Sequence, residues 1–475
     1  MKKLLLCVLC IFPYVYVNAQ GCVAKMGSGR GHTVVIKNDH TLWSWGSDGN
    51  NQLGNGALTF THVPSRISDD TDWSKIAVGD YHCVALKNNG TLWAFGQNTF
   101  GQLGDGTNTD ILVPTQIGTA NDWVQVATGR QHSVALKSNG TLWNWGYGGN
   151  YALGDGTTAD RLVPTQLGTD NDWVKVIAGY YHTVAIKSNG TLWYWGWSVT
   201  QESVGHNTYT DNILVPTQIG TATDWLNPRD MSAGNLHTMI IKNDGTLWGW
   251  GMNDFGQIGD GSGISRVIPV QIGTATNWSK ISSGLGHDVA VKTDGTLWTF
   301  GLNNSGQIGN NIRGTDLTTI EQASPLAPIQ ITSDTDWSIT AVGSHCSFAI
   351  KNNGDVYAWG NNYVSMLGFN PPVAQSYYLV PTYIDLCALL SADSFENNVV
   401  NIKAYPNPAH NILNLEANTA IINKVEIYDV LGRLVLTNQY NSGNVQIDIS
   451  NLNTGDYIVK LFTAEGIQNL KVIKN

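Results

Sequence analysis

The chain repeats one short phrase seven times. The phrase reads Thr-Leu-Trp-Ser-Trp-Gly at residues 41–46 and returns, in a weakened form, as Asp-Val-Tyr-Ala-Trp-Gly at residues 355–360. Its closing glycines are spaced by 50 residues three times and then by 55, 50 and 59 residues. Because one such unit cannot bury its apolar face alone, this period indicates a solenoid, a propeller or an array.

Each unit contains four short runs with the character of β-strands. In the second unit they lie at residues 73–79, 82–87, 91–96 and 113–117. The pair Asn89-Gly90 between the second and third runs is typical of a two-residue hairpin turn with positive φ angles. Only the first unit departs from this pattern, with Asp39-His40. The sequence therefore predicts an all-β, seven-bladed β-propeller with four antiparallel strands in each blade.

The repeated tryptophans fit the same architecture. In the third run of the second unit, Leu92 and Ala94 point to one side and Trp93 and Phe95 to the other. Both sides are apolar, as expected for a sheet that lies between two neighbouring blades. We therefore expect most of the 18 tryptophans to pack between blades rather than to stack on sugars.

The full repeat resembles that of the regulator of chromosome condensation family. The shared pattern is Gly-x-x-His-(Thr/Ser)-Val-Ala-(Leu/Ile)-Lys-x-(Asn/Asp)-Gly-Thr-Leu-Trp-x-Trp-Gly, followed by Gly-Gln-Leu-Gly-Asp-Gly and Val-Pro-Thr. It covers about residues 22–387. The resemblance implies a seven-bladed propeller but no single activity, since the family includes a nuclear nucleotide-exchange factor and secreted bacterial propellers.

The N-terminus favours export over the nuclear role. Residues 1–19 combine Lys2 and Lys3 with a short apolar run and end in Val-Asn-Ala, which predicts a signal peptide cleaved before Gln20. A transmembrane anchor needs a longer apolar run, and a lipoprotein modified at Cys22 would need a better lipid-attachment box. We therefore predict a propeller domain over residues 20–387 and no integral membrane segment.

The composition changes after the last repeat. Residues 388–398 are expected to form a linker, and residues 399–475 alternate apolar and polar side chains as in a small antiparallel β-sandwich. This segment resembles the type A C-terminal sorting domain of the type IX secretion system of Bacteroidetes. The resemblance implies recognition by that secretion machinery, removal by a sortase-like protease, and release or attachment to surface lipopolysaccharide. A permanently appended sandwich is the alternative.

Charge argues against two classes of partner. The formal net charge is −10, and charged residues make up only 13% of the chain. An acidic surface lacks the basic patch that binds nucleic acid or an anionic membrane. We also find no motif for a cofactor or for nucleophilic catalysis, and turns explain Asp-Gly-Thr segments such as residues 105–107 at least as well as calcium loops do.

Two sets of repeated or paired residues predict structure rather than chemistry. Cys22 and Cys387 stand at the two ends of the repeat region, so a closed ring would bring them together as a candidate disulfide. Cys83 and Cys346 are expected to be buried free thiols. One histidine recurs per unit, and rotation between blades would keep these side chains too far apart to share a metal ion; they are His32, His82, His132, His182, His237 and His287.

Variation concentrates on one face of the predicted ring. The distance from the closing glycine to the fourth-strand proline is 18 residues in four units but 20, 27 and 21 in the fourth, sixth and seventh. The strand order places this connection on the same face as the turn between the first and second strands, which also varies. We name this the variable face and the opposite one the hairpin face.

We predict that a protein or glycan binds to the variable face, because variable loops on a rigid scaffold commonly carry binding sites. An alternative is a polysaccharide lyase or hydrolase, but this would need converging carboxylates and the loops offer only Asp80, Glu202 and Asp211. A structural surface protein is a third possibility. The candidate binding residues are Tyr81, Arg130, Tyr180, Tyr181, Trp197 and Tyr363.

Overall fold

The computed structural model of the chain describes residues 21–56, 60–197, 212–368, 376–391, 402–417, 421–429, 433–463 and 466–475. The predicted signal peptide, the carboxylates Glu202 and Asp211, and most of the predicted linker lie outside these ranges. The chain divides into two compact units, residues 1–391 and 392–475.

The first unit contains seven four-stranded antiparallel sheets, each built from one repeat. The first three blades are β1 (Val23–Ser28), β2 (His32–Lys37), β3 (Leu42–Gly46) and β4 (Thr61–Arg66); β5 (Trp73–Val78), β6 (His82–Lys87), β7 (Leu92–Gly96) and β8 (Ile111–Gln116); and β9 (Trp123–Thr128), β10 (His132–Lys137), β11 (Leu142–Gly146) and β12 (Arg161–Gln166).

The remaining blades follow the same order. They are β13 (Trp173–Ala178), β14 (His182–Lys187), β15 (Leu192–Gly196) and β16 (Ile213–Gln218); β17 (Asp230–Ala233), β18 (His237–Ile241), β19 (Leu247–Gly251) and β20 (Arg266–Gln271); β21 (Trp278–Ser283), β22 (His287–Lys292), β23 (Leu297–Gly301) and β24 (Ile329–Gln330); and β25 (Trp337–Val342), β26 (Cys346–Lys351), β27 (Val356–Asn361) and β28 (Tyr377–Ile384). Helix α1 (Leu317–Ala323) lies in the long connection of the sixth blade.

The first strand of every blade faces the centre of the ring. β1, β5, β9, β13, β17, β21 and β25 contact one another in this order, and β25 returns to contact β1. The ring is therefore closed, and the predicted seven-bladed propeller is confirmed.

Apolar side chains pack between neighbouring blades. One cluster combines Leu86 and Leu92 of the second blade with Ala135 and Trp145 of the third, and equivalent clusters follow around the ring. The predicted packing role of the repeated tryptophans is thus confirmed for those of the third strands, of which Trp145 and its counterparts Trp45, Trp195, Trp250 and Trp359 are fully buried.

The hairpin face holds a structural feature that the sequence analysis missed. Lys187 Nζ lies 4.7 Å from the ring centroids of both Trp173 and Trp193. It also forms ion pairs with Asp170 at 2.6 Å and Asp172 at 3.2 Å. The lysines that lie between two aromatic rings in this way are Lys87, Lys137, Lys187, Lys242, Lys292 and Lys351.

The predicted hairpin turn differs from the observed one. Gly90 has a φ of +77°, but Asn89 is not left-handed, so the expectation of two positive φ angles was wrong. Gly90 N–H donates to Lys87 O at 3.0 Å, and Asn89 Oδ1 accepts from the backbone N–H and hydroxyl of Thr91. These bonds extend the loop by one residue and leave a single left-handed position, which His40 fills in the first blade with a φ of +62°.

The two ends of the repeat region meet at the first blade. Cys22 and Cys387 form a disulfide with their Cα atoms 5.4 Å apart. Cys387 belongs to helix α2 (Leu386–Ser391), which packs against β4 and accepts a hydrogen bond from Lys37 Nζ at Leu390 O. Residues 388–391 are therefore part of the propeller unit rather than of the linker predicted there.

The second unit is a two-sheet β-structure. Its strands are β29 (Ile402–Tyr405), β30 (Ile412–Ala417), β31 (Ile422–Asp429), β32 (Leu434–Ser442), β33 (Asn444–Asp448), β34 (Gly455–Thr463) and β35 (Gly466–Lys474). One sheet has the order β29-β30-β33 and the other β32-β31-β34-β35. Side chains of both sheets, including Leu415, Val425, Ile447 and Val459, form one buried core, as in the predicted sandwich. No helix in the described part of the chain is long and apolar enough to cross a membrane.

Candidate binding site on the variable face

Glycines form the floor of a shallow funnel on the axis of the propeller. A cavity of about 100 Å³ opens there, lined by the glycine that follows each first strand. An added Cβ at Gly79 would lie 2.6 Å from the ring of His82 and 2.7 Å from the carbonyl oxygen of Gly129, so a side chain does not fit at this position. The seven glycines are Gly29, Gly79, Gly129, Gly179, Gly234, Gly284 and Gly343.

Directly below this floor, the repeated histidines join the blades to one another. His82 Nε2 lies 3.0 Å from Ser133 Oγ of the next blade, and Ser133 donates its own proton to Gln102 O. The histidine must therefore donate through Nε2, which makes it the neutral Nε2–H tautomer. The remaining pairs are His32 with Cys83, His132 with Thr183, His182 with Thr238, His237 with Asp288 and His287 with Ser347.

Burial keeps five of the six histidines of this ring uncharged at neutral pH. All six are buried, and burial lowers the pKa of His132 to about 4 and the pKa values of His32, His82, His182 and His287 to about 3. Cys346 takes the histidine position in the seventh blade and lies 3.7 Å from Ser28 Oγ, which closes the ring. Cys83 and Cys346 are free and buried, as predicted. No group of three or more metal-ligating side chains occurs in the described ranges.

The residue after each glycine lines the wall of the funnel, and its chemistry changes around the ring. Asp80, Arg130 and Tyr180 form one side, whereas Asn235, Leu285 and Ser344 form the other. Backbone hydrogen bonds connect neighbouring turns, for example from Arg130 N–H to Tyr180 O at 3.1 Å. The wall is thus rigid, and it carries charged and aromatic side chains on one side only.

Five of the six predicted residues lie on this charged and aromatic side. Arg130 is central: its Cζ lies 4.6 Å from the ring centroid of Tyr180 and 5.6 Å from that of Tyr181, and its Nη1 donates to the Tyr181 hydroxyl. Trp197 packs edge-to-face on Tyr181, with ring centroids 5.1 Å apart. On the other side of Asp80, the Arg30 guanidinium lies over the Tyr81 ring at 5.9 Å.

We name the contiguous group around Arg130 the tyrosine–arginine cluster. It extends outward because Tyr147 contacts Tyr181 and Phe100 contacts Tyr147, with ring centroids 6.0 Å and 4.9 Å apart. The sequence analysis missed Tyr147, Phe100 and Arg30, although Tyr147 follows a closing glycine just as Trp197 does. The cluster consists of Phe100, Arg130, Tyr147, Tyr180, Tyr181 and Trp197.

Two of the predicted binding residues differ from expectation, one in its exposure and the other in its position relative to the cluster. Tyr181 was expected to be an exposed loop residue, but it is only 9% exposed because Arg130, Tyr147, Tyr180 and Trp197 surround it. Tyr363 is 80% exposed, yet among the described residues its ring makes no aromatic or cation–π contact with the cluster. Tyr180, Trp197 and Arg130 are half-buried, so they present surface to a partner while their positions are fixed by their neighbours.

The funnel has an unusual carboxylate. Burial raises the pKa of Asp80 to about 6, although the nearby guanidiniums of Arg130 and Arg30 oppose the rise. Arg130 Nε lies 3.6 Å from Asp80 Oδ2, which is too long for a hydrogen bond, and neither atom has another partner. Asp80 is the one carboxylate among the described residues that line the cavity.

The connecting loops hold their aspartates in turns. Asp105 Oδ1 accepts hydrogen bonds from Asn98 Nδ2 and from the backbone and hydroxyl of Thr107. Asp155 similarly bonds Thr157 and pairs with Arg161 at 2.6 Å. These aspartates therefore stabilise the loops of the variable face, as the interpretation of these segments as turns requires.

Comparison with known proteins agrees with this architecture. The secretion system C-terminal sorting domain family matches residues 403–475, which indicates secretion and attachment at the surface. Human WBSCR16 superposes with a TM-score of 0.58 at 21% identity, over 68% of this chain and 85% of that one. Saccharomyces cerevisiae Prp20p, whose structure was reported with its binding to Gsp1p and histones, superposes with a TM-score of 0.63 at 21% identity, over 82% and 90%.

A plant receptor gives a local sequence match. The ultraviolet-B receptor UVR8 of Arabidopsis thaliana is 33% identical over 69 residues, which is 14% of this chain and 15% of the receptor. The family described as regulator of chromosome condensation (RCC1) repeat matches five stretches that together span more than half of the chain: residues 39–86, 89–136, 139–186, 244–291 and 294–350. The chain therefore belongs to the RCC1 repeat family.

Proposed function

We propose that the protein is a surface-exposed or secreted binding propeller that captures its partner on the variable face. The observation that carries this proposal is the tyrosine–arginine cluster, in which five aromatic rings, four of them half-buried, and a guanidinium lie side by side across three blades next to the funnel. Tyrosine, tryptophan and arginine dominate binding hot spots because they bury much surface and lose little conformational freedom. The sorting domain supports this role because it indicates that the chain is secreted, so that a partner would be met outside the cell.

The cluster is prepared for binding because its side chains are already held. Arg130 contacts both Tyr180 and Tyr181, and Tyr181 contacts Trp197. A partner would therefore meet ordered side chains and would not have to restrict free rotamers, which favours affinity. The alternative enzymatic role requires two carboxylates that flank a substrate, and Asp80 stands alone in the described lining of the funnel.

A site-specific photo-crosslinker tests this proposal. The full chain with p-benzoylphenylalanine at position 180 is irradiated on the surface of the cells that export it, in their native medium. We expect a discrete cross-linked species that is absent from a control with the same group at position 383. Tyr383 is a suitable control because it is 48% exposed and lies on the outer strand β28, near the hairpin face. Cross-linking at position 383 and none at position 180 would refute the proposal.

A further inference from the structure

The size of the funnel limits what can enter it. Its cavity of about 100 Å³ is well below the roughly 300–1,000 Å³ of pockets that enclose a cofactor or a drug-sized ligand. At roughly 30 Å³ for each water molecule, it holds a group of a few heavy atoms. The funnel therefore suits one inserted side chain better than a whole sugar ring.

The charges around the funnel favour a negative group. Arg30 and Arg130 carry two positive charges there, and Asp80 carries one negative charge at most. Nearby, Tyr180 is neutral at physiological pH because burial raises its pKa, and burial and Arg30 lower the pKa of His345. This is a positive site on a chain with a net charge of −10, so it is a specific feature and not a general property of the surface.

The aromatic rings next to the funnel do not form a sugar-binding platform. Arg130 already covers the face of Tyr180, and Tyr180, Tyr181 and Trp197 meet at interplanar angles of 78° and 67°. Sugars stack on open, flat ring faces, whereas protein partners pack against ring edges as readily as faces. The geometry of the cluster thus favours a protein partner over a glycan.

Together with the proposed binding role, on which this inference rests, these observations define the partner more closely. We infer that the funnel receives the carboxylate side chain of a glutamate or aspartate at the tip of a loop of a partner protein. Arg130 supplies the anchor, because it lines the funnel, its Nε lies 3.6 Å from Asp80 Oδ2 without forming a hydrogen bond, and a carboxylate can accept from a guanidinium through two oxygens. Tyr180 and Trp197 contact the flanks of the same loop.

Selection from a phage library of disulfide-closed peptide loops tests this inference on the full chain at pH 7.5. We expect enriched loops to carry glutamate or aspartate at the tip and to lose binding to the Tyr180→Ala variant but not to Tyr383→Ala. For a selected peptide, changing the tip glutamate to glutamine, or Arg130→Gln in the protein, should each reduce affinity about 10-fold or more. The two changes together should reduce the affinity little more than either change alone, because they remove the same contact.

Two further variants separate the effect of charge on binding from an effect on stability. Asp80→Asn should strengthen binding of the acidic peptide, since it removes the competing negative charge. If Arg130→Gln lowers the melting temperature, Arg30→Gln replaces it, because Arg30 is exposed. Loops that depend on Tyr180 but carry lysine or no charge at the tip would overturn the inference and leave the proposed function standing. Loops that bind Tyr180→Ala as well as the native chain would overturn both.

Discussion

The turn between the first and second strands contains two layers of side chains, which differ in how deeply they are buried and in how much their sequence varies around the ring. The lower layer is the histidine ring, which is buried and has a histidine at the same position in six of the seven blades. The upper layer lies one or two residues earlier and changes from Asp80 to Arg130 to Tyr180 around the ring. Because the lower layer fixes the backbone of each turn, the upper layer can vary without loss of the fold.

The comparison predicts that acid destabilises the scaffold strongly. Five histidines have folded-state pKa values of about 3 to 4, against an ordinary value of 6.5. Their contribution is complete above pH 6.5 and is lost as the pH falls, since the unfolded chain then binds more protons. Asp48 and Asp80, whose pKa values are both raised to about 6, act in the opposite direction. Unfolding near pH 5 therefore takes up roughly three protons in total. The free energy of unfolding should therefore fall by about 4 kcal/mol per pH unit near pH 5.

Denaturant unfolding followed by tryptophan fluorescence measures this effect between pH 8 and pH 5. All 18 tryptophans lie between residues 43 and 359, so the signal reports only the propeller. An unfolding free energy that stays constant from pH 7 to pH 5 would show that the histidine ring does not control stability.

The disulfide is expected to have the next largest effect. It joins residues that are 365 positions apart, so it restricts the unfolded chain over nearly the whole propeller. In the chain-entropy account, Cys22→Ser should lower the free energy of unfolding by about 4 kcal/mol or more under oxidising conditions. The native chain in reductant provides the matched control and should resemble the variant. Equal stability of all three samples would contradict this account.

The upper layer, unlike the histidine ring, is expected to lower the stability of the folded chain at neutral pH, and by a smaller amount. Because burial raises the pKa of Asp80 to about 6, folding is opposed by its ionisation above that pH. Asp80→Asn should raise the free energy of unfolding by about 2 kcal/mol at pH 7.5, with the gain shrinking as the pH falls toward 5. A loss of stability at pH 7.5 would mean that Asp80 stabilises the fold and does not belong to the upper layer.

The lysines of the hairpin face should contribute less per residue. Lys187→Met keeps much of the aliphatic stem but removes the charge between Trp173 and Trp193, at an expected cost of about 1 kcal/mol. Lys175→Met is the control, because the described residues supply no such pair of rings around Lys175. Thermal unfolding of both variants should separate them, and equal melting temperatures would argue against a stabilising cation–π contact.

The sequence was sufficient for the scaffold and insufficient for the site. Repetition at a constant period revealed the blades, because each repeat must pack against its neighbours in the same way. The lysine contacts could have been found too, since the lysine equivalent to Lys187 stands six residues before the third-strand aromatic residue equivalent to Trp193 in every repeat. By contrast, the burial of Tyr181 depends on Tyr147 from the preceding blade, and no pattern within one repeat reveals that contact.

The most direct test compares two residues of the same turn. His182 belongs to the lower layer and bonds Thr238 at 3.1 Å, whereas Tyr180 belongs to the upper layer. Melting temperature and affinity for the partner cross-linked at position 180 should be measured for His182→Ala and Tyr180→Ala side by side. We predict that His182→Ala lowers stability by about 2–4 kcal/mol, and that Tyr180→Ala reduces affinity about 30-fold with little change in melting temperature. A Tyr180→Ala variant that melts as early as His182→Ala and binds as well as the native chain would contradict the separation of scaffold and binding layers.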